Sequence, residues 1–553
     1  MPRRFTFTAF IVCLLLAPNI RAQDGPAVGS DPALHINEAT LRAHIRFLAH
    51  DLLEGRGPGS RGDDLTQLYV ATQFQTYGLQ PAAPDGSWIQ PVPLVGVKTN
   101  APAKIKFKAG DASVELESVT DFMSTIGSPV KEASIDSAEL VFVGYGIQAP
   151  EYQWNDFKDV DLKGKVLVIM NNDPSDDPEL FEGKRRLYYG RWDYKYETAA
   201  KQGAAGAIII HTTPSAGYPW QVIKTSWAGE EFELRGSEGP RMKLKAWATE
   251  DGIRKVLQAN GKDLDALRAS AEKREFKPVP LGINLSIKLT ADVREKDTAN
   301  VLGILPGSDP ELKDEVLIYM AHHDHLGIGE RDSRGDNIYN GAIDNAAGTA
   351  SLLSMLKAYA SLDSKPKRSI MFAAVGAEEQ GLLGSRYFAE HPPIKPGNMA
   401  AVINMDGANI IGRTHDVNVI GHGKSNLDTI VTRVAKSQNR IVTPDHFPDR
   451  GYYYRSDQFS LAKIGVPGVY LHSGVNVVGK PAGWGKEKLD EWVQNTYHQP
   501  SDEYSDDWDL SGAIEDARLL FNVGLNVLQQ NEMPAWTPGD EFEAARKSAI
   551  ANR

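Results

Sequence analysis

Four groups of metal-competent side chains lie between Val316 and Asp406, and each follows or sits near a short apolar run that reads as a β-strand. They are Ala321-His322-His323-Asp324-His325, Ala342-Ile343-Asp344-Asn345, Ala377-Glu378-Glu379-Gln380 and Asn404-Met405-Asp406. In an α/β sheet, strand ends and the loops after them present side chains to a ligand. Imidazoles and carboxylates gathered there suit a divalent metal of hard to borderline character.

The surrounding pattern fits that fold. Asn300–Leu305, Val316–Met320, Arg368–Ala374, Met399–Met405 and Val466–Leu471 read as strands. Ala346–Tyr359 and Leu519–Leu528 read as helices. Pro467 favours an edge position or a strand start. Alternating strands and helices predict an α/β fold, a mostly parallel mixed sheet flanked by helices. Upstream, Leu41, Ile45, Leu48 and Leu52 recur on one helix face, and Glu54–Ser60 breaks it. A second helix runs through Leu65 and Phe74 to Gly78. The pair reads as scaffolding, with the Arg56-Gly57-Pro58 loop as its one part in reach of a substrate pocket. Strands at Glu139–Gly146, Lys165–Met170 and Gly206–Ile210 mark a compact β-rich module without a catalytic cluster. Its glycines read as helix-to-strand turns rather than a phosphate loop. The expected division is a signal peptide at 1–22, an N-terminal part at 23–135, a β-rich insert at 136–290, the main domain at 291–532, and a loose polar tail at 533–553.

Composition narrows the function. A chain of 553 residues suggests two or three domains, and 24% charged with 41% hydrophobic residues is globular. A net charge of -12 argues against nucleic acid as a partner, because phosphate neutralisation needs clustered Lys and Arg. Arg3 and Arg4 followed by the apolar Phe10–Ala17 read as a secretory signal cleaved after Ala22, too short for a good membrane span. Export to a periplasm or to the outside follows. The one cysteine, Cys13, lies in that segment, so the mature chain has no disulfide and a metal site must use His, Asp and Glu.

Three of the chain's 13 histidines fall within four residues. His322 follows an apolar strand, and Asp324 is placed to hold its second ring nitrogen. Asp344-Asn345 reads equally as a helix N-cap. Adjacent acids on an extended chain point different ways, so Glu378 and Glu379 can divide two roles. Asp406 ends an apolar strand, where a carboxylate is costly unless paired or metal-bound.

Taken together with Gly341–Asn345, Ala377–Ser385 and the distant Tyr497-His498-Gln499-Pro500-Ser501-Asp502, these motifs resemble the two-zinc aminopeptidase family, relatives of the glutamate carboxypeptidases and the transferrin receptor. The resemblance implies two Zn2+ per chain: one on His322 and Asp406, the other on Glu379 and His498, with Asp344 between them. It implies a bridging hydroxide, Glu378 as general base and then acid, and peptide substrates. The oxyanion donor would be a tyrosine, Tyr453 or Tyr497, with Tyr453 preferred. Asp457 would be structural near the pocket, His323 and His325 structural or pocket-lining, and His422, His446 and His472 ordinary. The segment 136–290 looks like a protease-associated insert. A carboxypeptidase or dipeptidase of the same superfamily would need a cationic grip such as Arg450 or Arg455. A binding protein without catalysis is disfavoured by the complete ligand set.

Overall fold

The computed structural model describes residue 1 and residues 31–175 and 177–553. The expected signal segment, with Cys13, lies outside the described residues. Helix α1 (Glu38–Leu48) starts where Asn37 Oδ1 accepts the N–H of Thr40 at 3.1 Å. Leu41, Ile45 and Leu48 are buried, but Leu52 is 72% exposed, because a new turn over Asp51–Arg56 redirects the chain. Ser60 caps α2 (Arg61–Thr76).

The chain then builds β1 (Ile89–Asn100), β2 (Glu132–Phe142), β3 (Val166–Met170), helix α3 (Trp192–Lys201), β4 (Gly206–His211), helix α4 (Trp220–Trp227) and β5 (Leu244–Thr249). Strands β2, β3, β4 and β5 lie parallel in that order. The 27-residue strand β6 (Val279–Leu305) runs through both halves of one continuous sheet. Its first half pairs antiparallel with β2, and its middle pairs antiparallel with β1. The sequence shows why one strand can serve both halves. Leu281, Ile283, Leu285, Ile287 and Leu289 are buried while Gly282, Ser286, Lys288 and Thr290 are exposed, which gives one covered face. From Thr298 to Gly303 every residue is buried, as in a strand covered on both faces. The expected boundary at 290 therefore falls inside a continuous strand.

The second half of the chain supplies β7 (Val316–His322), helix α5 (Gly348–Ala360), β8 (Ser369–Val375), β9 (Met399–Asn404), β10 (Asp416–Ile420), β11 (Ile441–Pro444), β12 (Gly468–His472) and helix α6 (Ser511–Gln529). The strand order is β6–β8–β7–β9–β12–β10–β11, with β8, β7, β9 and β12 mutually parallel. Along β7, Leu317, Tyr319 and Ala321 face α5 and α6, while Ile318 and Met320 face Met371, Val402 and Leu461. From β7 the chain crosses first to β8 on one side and then to β9 on the other. That reversal is the switch point at which open α/β sheets leave a crevice beyond their strand ends. His322 is the last residue of β7.

The tail differs from expectation. Trp536 and Phe542 are buried, and Glu543–Ala551 is a helix. The Arg546 guanidinium donates to the carbonyls of Met399 and Ala400 at the start of β9, at 2.8 and 3.4 Å. Apolar anchors spaced between polar residues hide in a composition-level reading. No helix among the described residues is long and apolar enough to cross a membrane.

Candidate metal centre

The crevice beyond β7 gathers the expected ligands from five separate segments. His322 Nε2 lies 3.2 Å from Asp344 Oδ1 and 3.5 Å from Asp406 Oδ1. His498 Nε2 lies 3.0 Å from Glu379 Oε2 and 3.4 Å from Asp344 Oδ2. Asp344 thus turns one oxygen to each imidazole. Neither Nε2 has a hydrogen-bond partner among the described residues, and both are buried. Ligands at 2.0–2.1 Å from a tetrahedral zinc are separated by about 3.4 Å, which is the spacing found here. The donor set fits two divalent ions: His322, Asp344 and Asp406 at one position, His498, Asp344 and Glu379 at the other. Glu378 Oε2 lies 3.9 Å from His322 Nε2, and Glu378 forms a further donor cluster with His322 and Glu379.

A layer of hydrogen bonds fixes these side chains. Asp324 accepts the N–H groups of Glu378 and Glu379 at 3.1 and 3.4 Å and lies 3.7 Å from His322 Nδ1. It braces the Glu378–Glu379 turn as well as the histidine. Asn345, not Asp344, caps the helix: its Oδ1 accepts from Gly348 and Gly407 at 3.0 and 2.9 Å. Its Nδ2 donates to the carbonyls of Met405 and His322 at 3.0 and 3.2 Å, so one amide fastens three ligand segments. Ser456 Oγ donates to Asp406 Oδ2 at 2.6 Å and Tyr470 Oη at 3.3 Å, which leaves Oδ1 facing His322. Ala377 and His498 both take left-handed backbone, φ 55° and 56°, at a cost of about 1–3 kcal/mol each.

Other supports were not visible in sequence. Asp502 accepts the N–H groups of Ile343 and Asp344 at 3.0 and 3.1 Å, holding the bridging loop. It belongs to the quoted His498 motif, so motif membership was its one signal. Ser226, on α4 of the insert, bonds His498 Nδ1 at 2.9 Å, and nothing in the sequence marks it. His325 Nδ1 lies 2.6 Å from Glu379 Oε1 and belongs to a donor cluster with Asp344 and Glu379. His323 turns away and bonds Asp63 at 3.0 Å.

Three expectations need correction. Tyr453 does not reach the crevice: its ring stacks on Phe542 with Lys424 over it, so it is part of the core under the C-terminal segment. Tyr497 does line the cavity, its ring 3.9 Å from that of His498. Arg56 does not reach substrate. It is 1% exposed and donates to the carbonyls of His323, Leu48, Asn340 and Gly341 at 2.5–2.9 Å, tying two ligand loops to α1. His472, expected to be ordinary, lines the cavity and bonds Tyr470 Oη at 2.7 Å.

The electrostatics are those of a site built around positive charge. Burial opposes ionisation of Asp344, yet His322 and His498 hold it well below the usual carboxylate range. Burial and Asp344 push Glu379 up, but His498 and His325 bring it down to about 2. Burial lowers His498, but Glu379 and Asp344 outweigh it and raise the imidazole to about 9. Burial raises Glu378 well above its ordinary value, opposed by His322 and reinforced by Glu379 and Asp406. Burial likewise takes Asp457 up to about 7. A cavity of about 220 Å³ opens from Asp344, Glu378 and Asp406 toward Tyr218, Arg455 and Tyr497.

Residues 300–521 match the family model described as Peptidase family M28. The aminopeptidase from Aneurinibacillus sp. strain AM-1 superposes with a TM-score of 0.53 at 19% identity, covering 91% of this chain and 97% of that one. The fold is shared with that aminopeptidase, and the M28 match falls on residues 300–521. Among curated proteins, Aminopeptidase NAALADL1 of Rattus norvegicus is 34% identical over 116 residues, which is 20% of this chain and 14% of that protein. A probable zinc metalloprotease of Pyrenophora teres f. teres is 36% identical over 106 residues, 19% of this chain and 22% of that protein. The Glutamate carboxypeptidase 2 homolog of Caenorhabditis elegans is 25% identical over 397 residues, 60% of this chain and 46% of that protein. The chain spans less than half the length of each of these relatives. The M28 match and the buried His, Asp and Glu cluster together support a metallopeptidase.

Proposed function

We propose that the chain is an exported aminopeptidase that holds two Zn2+ and removes N-terminal residues from peptides. One observation carries the reading: the two oxygens of Asp344 face two different imidazoles at 3.2 and 3.4 Å, with Glu378 Oε2 3.9 Å from the first of them. His322 and Asp406 would hold one ion, Glu379 and His498 the other, and Asp344 both. When bound, such a pair acidifies water and polarises the scissile carbonyl.

The chain's own residues supply the rest. Glu378 takes the proton of the attacking water and passes it to the leaving amine as the C–N bond breaks. Its carboxyl is oriented by the turn that Asp324 braces. The Tyr497 hydroxyl, at the cavity wall beside His498, donates to the developing oxyanion in place of Tyr453. Asp344, Glu378 and Asp406 make that end of the cavity acidic, which favours a free ammonium on the substrate. The test is Glu378→Gln. The variant is expected to keep its metal content and lose kcat on an aminoacyl anilide by about 10²–10⁴-fold. Full activity in that variant would remove Glu378 from the reaction.

A further inference from the structure

The cavity that opens from the metal centre holds one cation without a carboxylate. Arg455 lines it, and among the described residues its one side-chain hydrogen bond is from Nη2 to Tyr497 Oη at 3.3 Å. The other cations on the wall are paired: Arg450 with Asp490 at 2.6 Å, Lys488 with Glu491 at 2.6 Å. No acid lies within ion-pairing distance of the Arg455 guanidinium among the described residues, and the groups that act on it most are Tyr497, Tyr452 and Tyr218. Its place is fixed all the same. Its Cζ sits 5.3 Å from the ring centroids of both Tyr218 and Tyr452, so aromatic faces hold the guanidinium. Tyr218 comes from the insert and Tyr452 from the main domain, so the holder forms only when both are docked.

Position gives the unused donors a purpose. Arg455 immediately precedes Ser456, which holds Asp406, and it touches Tyr497, which immediately precedes His498. Arg455 is therefore tied to the metal centre twice, along the chain to Ser456 and through its guanidinium to Tyr497. A substrate whose scissile carbonyl lies at the centre would bring its next residue alongside Arg455. A planar fork with free donors in a sheltered wall recognises a carboxylate, and charge-assisted bonds of this kind are about twice as strong as neutral ones.

We propose that Arg455, held between Tyr218 and Tyr452, grips a carboxylate on the residue that leaves, so that the preferred substrates are short peptides with a free terminal or side-chain carboxylate next to the scissile bond. This rests on the peptidase reading above and deepens it. It also gives the insert a part in substrate choice through Tyr218.

The experiment compares L-leucyl-glycine, L-leucyl-glycinamide and L-leucyl-L-aspartamide on the zinc-loaded full chain. The natural protein is expected to favour the free acid over its amide in kcat/KM by about 10–100-fold, mostly through KM. A preference recovered by the aspartyl amide assigns the grip to a side-chain carboxylate; one lost in both amides assigns it to the chain terminus. Arg455→Gln, which keeps a donor for Tyr497, is expected to bring the ratio close to one, and Arg455→Lys to restore part of it. A ratio unchanged in Arg455→Gln overturns the proposal. So does an equal fall in kcat on all three substrates, which would make Arg455 a support for Tyr497 only. Calorimetric titration of the same peptides into the same proteins separates this from failure of the peptidase reading. If nothing is hydrolysed, tighter binding of L-leucyl-glycine than of its amide, abolished in Arg455→Gln, still sustains the grip. Equal binding of the two overturns it.

Discussion

The ligands in the crevice are held in place by residues outside the proposed ligand set. Ser226 is the one that reaches across from the insert, to His498 Nδ1 at 2.9 Å. Losing such an outer partner typically costs 10–100-fold in metal affinity. Ser226→Ala is expected to weaken one of two zinc-binding steps by that factor in a competitive chelator titration and to leave the other step in place. Two unchanged steps would show the contact to be incidental. The imidazoles also give the metal-free protein a pH signature. His498 rises from an ordinary 6.5 to about 9, so its contribution to stability is complete below 6.5 and lost as pH climbs through 9. Glu379 falls from 4.5 to about 2, so its contribution is complete above 4.5 and lost as pH drops toward 2. The chelated protein should therefore melt highest between pH 4.5 and 6.5 and lose Tm toward pH 9. Zinc-loaded protein should lack the alkaline loss, since bound imidazoles carry no proton there. Matching alkaline slopes with and without metal would contradict the assignment of His498.

At the level of elements, what could be read from the sequence was what repeats. Continuous apolar runs marked β7, β8 and β9, and their ends marked His322, the Glu378–Glu379 turn and Asp406. Periodicity could not place contacts between distant segments. Arg56, Ser226, Asp502 and Arg546 work through hydrogen bonds to segments far along the chain, and no local pattern records such partners. The preference for Tyr453 over Tyr497 failed for the same reason, since the packing of Tyr453 on Phe542 is a contact between distant segments. Strand β6 shows the limit most clearly. Its alternating half and its fully buried half are both in the sequence, yet that they form one uninterrupted strand appears only in the fold. Excising the insert would remove Val279–Thr290 of β6 with it and uncover the edge of β1 that now pairs with Glu231–Leu234. A chain lacking residues 136–290 is expected to be insoluble or to show no cooperative thermal transition. A cooperatively melting truncated protein would mean that the two halves of the sheet are independent.

On the scale of the whole molecule, one continuous sheet runs through β6, and the segment 213–227 lies over the crevice with Ser226 on His498 and Tyr218 on Arg455. On the proposed reading, this segment would bear on metal loading through Ser226 and on substrate choice through Tyr218. All of it stands on the two-ion centre, which is read most directly as zinc per chain. Measured by mass spectrometry of the metal-loaded protein, the natural chain is expected to hold two zincs. Asp344→Ala, which removes the residue shared by both positions, is expected to hold no more than one and to show no hydrolysis of an aminoacyl anilide. Less than one zinc in the natural chain, or two zincs with full turnover in Asp344→Ala, would contradict the account at its centre.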